Sequence, residues 1–577
     1  MARRGADLLV AALRAQGIDT VFGVPGESYL AVLDALHDTA IRFVPNRHEG
    51  GAAFMAEALA KLTGRAGVCF VTRGPGATNA AIGVHTAMQN ATPMVLFVGQ
   101  VARGMRGREA FQEIDYPAMF GSVAKWAVEI DDPGRVTEIV ARAFATALGG
   151  RPGPVVVALP EDMLVEETDA PSLSQAVVPS QPAVDPAVVA TAARVLLQAR
   201  RPLIMLGGGG WDGDPSGRAA LAALTEAADA ASLPIAVTFR CQDLVDNHSP
   251  IYAGDAGVGM TPAMKRLIGE ADAILALNLR FGENTTDGYT LLRVPEPRQR
   301  LIHVHPSARE IGKIYQPAMG VQAGPALFAA ALADALPAAA ATLGEAPESR
   351  LAWAAEARQA YEAVFDLPAQ PAGLDMGVVM AVLRDRLPDD AILTNGAGNF
   401  AIWPSRLFRY GPGHRLLAPQ SGAMGYGLPA AIAAKLTFPD RVVLCFAGDG
   451  DIQMTMAELG TAMQMDARPV VLVVNNGSYG TIRMHQERHY PERVSATRID
   501  NPDYVAIAGA YGMLGEQVSQ TAAFAPALDR ALASPTGALI ELIQPTEALT
   551  PRETLSGMRA AALARRLAED GAPGDEV

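Results

Sequence analysis

Cysteine is scarce in this chain, an excess of positive charge is absent, and no uninterrupted apolar run reaches the roughly 18 residues of a membrane span. Each absence excludes something. Three cysteines in 577 residues cannot build a disulfide framework. Cys69 and Cys445 sit inside the apolar runs GVCFV and VVLCFA, as buried thiols of a reducing compartment would. A formal net charge of −14 argues against a nucleic-acid partner and against an anionic membrane surface. The first residues, MARRGADLLVAALRAQG, begin basic and turn apolar in the manner of a signal peptide. Asp7, Arg14 and Gln16 interrupt that segment at helical spacing, so an amphipathic helix of a cytoplasmic protein is the expected reading.

What is present is core material: half the residues are hydrophobic and 19% are charged. A single core seldom serves more than about 250–300 residues, so the length implies several domains, three being the natural number. The first third alternates helices with the short apolar strands TVFGVPG, IRFVP, GVCFVT and PMVLFVG, which predicts a parallel α/β layer. Residues 165–186 are rich in Pro, Ser and acidic side chains and read as a linker. A second α/β layer follows (RPLIMLGGGGW, PIAVTF, ADAILALNL, RLIHVHP), and a low-complexity stretch at 337–350 reads as a second linker. The expected domains are residues 1–165, 186–337 and 351–550, with a tail at 551–577 that either covers a site or is disordered.

In the third domain, the β-branched runs Val442–Ala447 and Val470–Val474 bracket a segment with Ile452, Met456, Leu459 and Met463 at helical spacing. That pattern predicts strand, helix, strand. In such a unit ligands bind beyond the carboxyl ends of the strands, which here carry Gly448-Asp449-Gly450 and Asn475-Asn476. The glycines permit close backbone approach to an anion at a helix N-terminus, where a diphosphate fits. Asp449 and Asn476 are hard oxygen ligands of the kind Mg2+ takes. A lone Gly-Asp-Gly is usually an ordinary strand-to-helix turn; with Asn-Asn some two dozen residues later it resembles the signature of thiamine-diphosphate enzymes, specifically the acetolactate-synthase and pyruvate-oxidase branch.

Other stretches carry the same resemblance. Asn46-Arg47-His48-Glu49 leads into a small-residue helix, and Glu49 alone reads as a helix-capping acid. The resemblance makes it the cofactor-activating carboxyl, buried and bound to pyrimidine nitrogen N1′, so that C2 of the thiazolium loses its proton. Gly26 and the loop Gly74–Asn79, with Pro75, are implied at the pyrimidine side. Met424, within Gly422–Pro429, is implied to prop the cofactor into its bent shape. Gly398, Asn399, Gly422, Gly448, Gly450 and Asp451 are implied cofactor contacts, as are Ser478, Tyr479, Gly480, Thr481 and Ile482. Asp449, Asn476 and the Ser478 carbonyl are implied metal ligands. Phe111 and Gln112 resemble a substrate-channel motif, with Gln112 approaching the reacting ketoacid. The family pattern implies three doubly wound parallel-sheet domains (pyrimidine-binding, central, diphosphate-binding) and a homodimer or homotetramer with active sites at subunit interfaces.

The sequence departs from that pattern around the substrate. Pro25 is followed by Gly26-Glu27-Ser28 rather than Gly-Gly-Ala, and His485 stands where acetolactate synthases carry a tryptophan. Glu27, Ser28, Phe111, Gln112 and His485 are the candidate substrate residues, and Glu27 and His485 favour a polar substrate. In the central domain Gly207–Gly210, Arg280-Phe281 and AREIGK resemble FAD-binding segments. The acidic residue usual in the strand before AREIGK is missing, the local sequence being His303-Val304-His305-Pro306, so FAD stays open. His303 with His305, and His485 with His489, each lack further metal ligands and read as ordinary histidines.

The implied activity is that of a carboligase or lyase on a 2-ketoacid: decarboxylation to an enamine, then addition to a carbonyl acceptor or protonation. The alternatives are C–C cleavage of another acyloin, diketone or ketoacid, and a non-catalytic cofactor-binding paralogue. Glu49 argues against the last, because a protein that only binds the cofactor has no use for a proton-relay acid.

Overall fold

The computed structural model describes residues 2–212 and 215–570. The APGDEV ending, part of the expected tail, lies outside the described residues. The chain divides into two compact units, Met1–Ala363 with Tyr410–Ser421, and Val364–Arg409 with Gly422–Val577.

The first unit holds two six-stranded parallel sheets. One comprises β1 (Thr20–Gly23), β2 (Arg42–Pro45), β3 (Gly67–Val71), β4 (Met94–Gln100), β5 (Trp126–Glu129) and β6 (Pro154–Pro160), in the order β2-β1-β3-β4-β6-β5. The next comprises β7 (Pro202–Leu206), β8 (Ile235–Thr238), β9 (Tyr252–Ala256), β10 (Ala273–Leu277), β11 (Arg300–His305) and β12 (Met319–Gln322), in the order β9-β8-β7-β10-β11-β12. That is the doubly wound order associated with dinucleotide binding. In the second unit β13 (Ile392–Asn395), β14 (Val443–Gly448), β15 (Val470–Asn475), β16 (Leu514–Val518) and β17 (Ala538–Ile543) run β13-β14-β15-β17-β16. Apart from the β2 edge, this repeats the order of the first sheet. The inner strands are buried along their whole length, as the continuous apolar runs require when helices cover both faces.

Six helices matter below: α1 (Glu49–Thr63), α2 (Pro75–Asn90), α3 (Pro325–Leu343), α4 (Glu348–Glu362), α5 (Gly480–His489) and α6 (Leu555–Asp570). The small-residue pattern of α1 lets α2 approach closely: a Cβ at Gly83 would lie 2.3 Å from that of Ala53. Buried Glu57 on α1 accepts hydrogen bonds from Asn90 Nδ2 and Thr92 Oγ1, both at 2.7 Å, and so ties the ends of the pair.

Three expectations change. The stretch 337–350 is not a linker: α3 continues to Leu343 and α4 starts at Glu348, because alanine favours helix strongly enough to accommodate Pro337. Helix α4 packs Trp353 and Ala357 into the core of the middle sheet, so the second unit starts at Val364 rather than at 351. The segment after β14 is not one helix but the pieces Asp449–Ile452, Met456–Glu458 and Leu459–Gln464. Buried Thr455 leaves helical geometry there and donates to the Gly425 carbonyl at 2.7 Å. Among the described residues one helix, α3, is long and apolar enough to cross a membrane, with mean hydropathy 1.7 over 18 residues. Asp334 interrupts it, and Phe328, Leu332 and Leu336 are buried where it packs on the helices Pro186–Gln198 and Pro215–Ala230.

Candidate functional site

In the second unit the adjacent strands β13 and β14 carry Gly398-Asn399 and Gly448-Asp449 just beyond or at their carboxyl ends. Asp449 is buried. Its Oδ1 accepts from Gly450 N at 2.9 Å and its Oδ2 from Gly477 N and Asn501 Nδ2, both at 2.8 Å. Burial pushes this carboxyl above its ordinary range, and the Asn501 amide and the Gly450, Gly477 and Ser478 N–H groups pull against that rise. At the end of the adjacent β15, Asn476 Oδ1 is buried and accepts no hydrogen bond. A buried acceptor left without a donor costs about 1–3 kcal/mol, a cost that a bound cation removes. The residues present therefore fit a divalent cation: a carboxylate held in place by donors on one side, and an open amide oxygen on the next strand. Leu549 packs over Gly480, and Thr546 Oγ1 donates to the Asn476 carbonyl at 3.2 Å, so the chain after β17 braces this loop.

The surrounding glycines are explained by packing. A Cβ at Gly448 would meet the Phe400 ring at 2.6 Å, and one at Gly450 would meet the Tyr479 ring at 2.7 Å. Asp451 points inward: its Oδ1 accepts from Ala397 N at 3.0 Å and Gly425 N at 2.9 Å. It thus ties the Gly398 loop to the turn that carries Met424. Gly422 is exposed and Met424 half-buried in that turn, just before the helix Gly427–Thr437. Asn399 is buried and accepts from Thr481 Oγ1 at 3.0 Å, while Ser478 is buried and Tyr479 and Ile482 are exposed.

In the first unit the strand order reverses between β1 and β3. Glu49 opens α1 immediately after β2, with His48 as its cap, and is half-buried rather than buried. Its Oε2 accepts from Asn79 Nδ2 at 2.9 Å. Its Oε1 faces Gly76, where a Cβ would lie 3.3 Å away. Pro75 starts α2 on the same loop, and a Cβ at Gly26 would meet Thr72 at 2.6 Å. Buried Ser28 shares a 2.9 Å hydrogen bond with Thr72 Oγ1. Gln112 is half-buried in left-handed backbone geometry (φ 65°), and its main chain fills the space a side chain at Gly74 would need. Phe111 is exposed.

One residue here escaped the sequence reading. Arg73, buried beside Gly74, pairs with Glu27 at 2.8 Å and Glu161 at 3.0 Å. The charge of Glu27 is therefore balanced within its own loop cluster. A lone arginine before Gly-Pro-Gly carries no local pattern that would have marked it.

His485 is exposed on α5, and burial on one side pushes its imidazole below the ordinary value. Its ring stacks on His489 at 6.1 Å, and among the described residues no cluster of three or more His, Cys, Asp or Glu could hold a metal. The described part of the tail is ordered: α6 lies along α5 and packs Leu555 and Met558 on Met484 and Leu549. Fully buried Glu487 accepts from Arg559 Nε and Nη2 at 2.9 and 2.7 Å and pairs with Arg483. The Arg559 guanidinium, aided by Arg483, holds the Glu487 carboxyl down at about 2 against the opposing effect of burial. A depressed acid contributes stability above its unfolded value near 4.5, and that contribution is lost as pH falls towards 2. The expected result is that α6 resists trypsin at neutral pH in the wild type and is cleaved faster in Glu487→Gln, as limited proteolysis reads.

In the middle sheet the order reverses between β7 and β10, beneath a cavity of about 290 Å3 lined by Arg151, Gly208, Gly209, Asn278, Arg280 and His305. Gly208 (φ 70°) admits no side chain, since a Cβ would lie 2.2 Å from the Asn278 carbonyl oxygen. Burial, with the charge of Arg280, pushes Arg151 down to about 10. Two guanidiniums facing a glycine turn suit a diphosphate. Burial pushes His305 down to about 4, so a neutral imidazole lines the cavity. A diphosphate suits the arginine side of this cavity, and Glu283 also lines it.

Models of the N-terminal, central and C-terminal domains of thiamine pyrophosphate enzymes match residues 3–119, 189–332 and 396–542, the first and last described as TPP-binding domains. The acetolactate synthase large subunit of Parasynechococcus marenigrum is 34% identical over 553 residues, covering 93% of this chain and 87% of that protein. The isozyme 2 large subunit of Escherichia coli is 32% identical over 536 residues (92% and 93%), and a probable large subunit of Methanocaldococcus jannaschii is 30% identical over 562 (95% and 93%). Matched by family models in all three domains and by relatives over most of its length, the chain belongs to the thiamine pyrophosphate-dependent enzymes, alongside the acetolactate synthase large subunits.

Proposed function

We propose that this enzyme is a Mg2+-dependent, acetolactate synthase-like carboligase or lyase that acts on a 2-ketoacid. The observation that carries the reading is the buried, hydrogen-bond-free Asn476 Oδ1 beside the donor-held Asp449 carboxylate, an arrangement suited to a metal–diphosphate clamp. When bound, thiamine diphosphate supplies a nucleophilic thiazolium carbon and a sink for the electrons left by the departing fragment. The protein groups prepare it. Asp449, Asn476 and the Ser478 carbonyl hold the metal, with Gly448, Gly450 and the 479–482 turn around the diphosphate. Asp451 acts from behind by joining the Gly398 and Met424 loops, and Met424 supports the cofactor's bend. Glu49, oriented by Asn79, shares a proton at Oε1, and Gly76 leaves room for a ring nitrogen to reach it. Gly26 and Pro75 border the same ring.

Gln112 faces the reacting carbonyl, with Phe111, Ser28 and His485 around the substrate. The Arg73–Glu27 pair favours a polar substrate over a purely aliphatic one, because an apolar group set against it would desolvate charge without compensation. The central cavity either binds FAD or is a vestigial nucleotide site, and analysis of any ligand released on denaturation decides between the two. The working enzyme is a cytoplasmic homodimer or homotetramer with active sites shared between subunits. Its three domains are pyrimidine-binding, central and diphosphate-binding, the third starting after α4.

With thiamine diphosphate and Mg2+ supplied, pyruvate is expected to yield CO2 together with an acyloin acid or aldehyde, followed by product analysis. No turnover across a panel of ketoacids, acyloins and diketones, despite bound cofactor, sinks the catalytic reading and leaves a cofactor-binding paralogue.

A further inference from the structure

Behind Asp449 lies a polar chain that neither the motif nor the clamp accounts for. Glu541 on β17 is buried and accepts from Gln517 Nε2 at 2.7 Å and from Asn475 Nδ2 at 2.6 Å. Because the Asn475 amide spends its donor there, its Oδ1 faces the other way and accepts from Asn501 Nδ2 at 2.8 Å. That same Asn501 nitrogen donates to Asp449 Oδ2 at 2.8 Å. Its amide orientation is fixed independently, since Asn501 Oδ1 accepts from Gln453 Nε2 at 3.0 Å. The Tyr504 hydroxyl also reaches the Asp449 carbonyl oxygen at 2.9 Å.

The chain has one consistent direction. It begins at an acceptor-only carboxylate, Glu541, and ends at another, Asp449, so each amide between them has a single orientation that satisfies both ends. A flipped Asn501 would set oxygen against two oxygens. We infer that Asn501 is a positioning residue for the metal: by donating to Asp449 Oδ2 together with the Gly477 N–H, it fixes the carboxylate rotamer at the strand end next to the one that carries the open Asn476 Oδ1. Tyr504 supports it by fixing the Asp449 main chain. This inference rests on the clamp reading above.

The test is a titration of Mn2+ into the full-length protein with thiamine diphosphate, followed by electron paramagnetic resonance. Asn501→Ala is expected to weaken Mn2+ binding about 10–100-fold, the range typical for the outer partners of metal ligands. Turnover should recover at saturating metal, so that the metal concentration for half-activity rises more than kcat falls. Tyr504→Phe, which keeps the ring and its packing, is expected to shift binding in the same direction by less. Thermal unfolding without metal serves as the control for folding. If wild type binds no Mn2+, the clamp reading fails. If wild type binds and Asn501→Ala binds within twofold of it, the positioning role is overturned. If Asn501→Ala does not fold, the Tyr504→Phe titration decides by the same criterion.

Discussion

Glu49→Gln is expected to keep thiamine diphosphate bound while losing exchange of the cofactor's C2 proton by about 10²–10⁴-fold, the usual contribution of a positioned general acid–base group. The substitution preserves shape: a glutamine at the head of α1 still offers an oxygen to Asn79 Nδ2 and still lies over Gly76. What it loses is the ability to share a proton at Oε1. Binding should survive because the substitution leaves untouched the groups proposed to hold the diphosphate, Gly448, Gly450 and the 479–482 turn. Hydrogen–deuterium exchange at C2, followed by NMR after acid quench, separates the two properties. Exchange near the wild-type rate would remove Glu49 from the proton relay, and loss of cofactor together with exchange would reassign it to binding.

Asp449→Asn should produce the opposite split, with loss of retention before any question of chemistry. The carboxylate accepts from two backbone N–H groups and one amide. An asparagine there must turn its own NH2 towards at least one of those donors, leaving buried donors unpaired at about 1–3 kcal/mol each. It also removes the only formal negative charge among the three proposed metal ligands. Outer partners of metal ligands are worth about 10–100-fold in affinity, so a ligand itself should cost at least about 100-fold. After desalting, wild type should carry stoichiometric thiamine diphosphate and metal by mass spectrometry and the variant neither. Full retention would place the metal elsewhere.

The glycine-marked strand ends were legible because short-range chemistry repeats there: an apolar run, then residues that only a turn or a close approach explains. Edge strands were harder. Trp126–Glu129, Tyr252–Ala256, Met319–Gln322 and Leu514–Val518 lie at sheet edges and lack the continuous apolar run of an inner strand. Arg415–Leu417 is too short to register. The inner strands Pro154–Pro160 and Ala538–Ile543 have the apolar pattern but no site residue to draw notice to them. The helical spacing of Ile452, Met456, Leu459 and Met463 was real and still misled, because Thr455 spends its hydroxyl on Gly425 and breaks the run. Around the candidate site, the residues read from sequence are those in compact motifs. Arg73, Asn501 and Tyr504 act across separations that no local pattern announces; Asn501 lies 52 positions from the carboxylate it contacts.

The pairing of Glu487 with Arg559 has a consequence for synthesis. The two residues are 72 positions apart, and both bonds that Arg559 makes go to a carboxylate buried on α5. On a growing polypeptide that carboxylate therefore has Arg483 and the Glu492 N–H as partners until the ribosome has delivered α6 and, with it, Arg559. The helix whose first turn carries Gly480, Thr481 and Ile482 completes the pairing of its buried carboxylate only after α6 has been made.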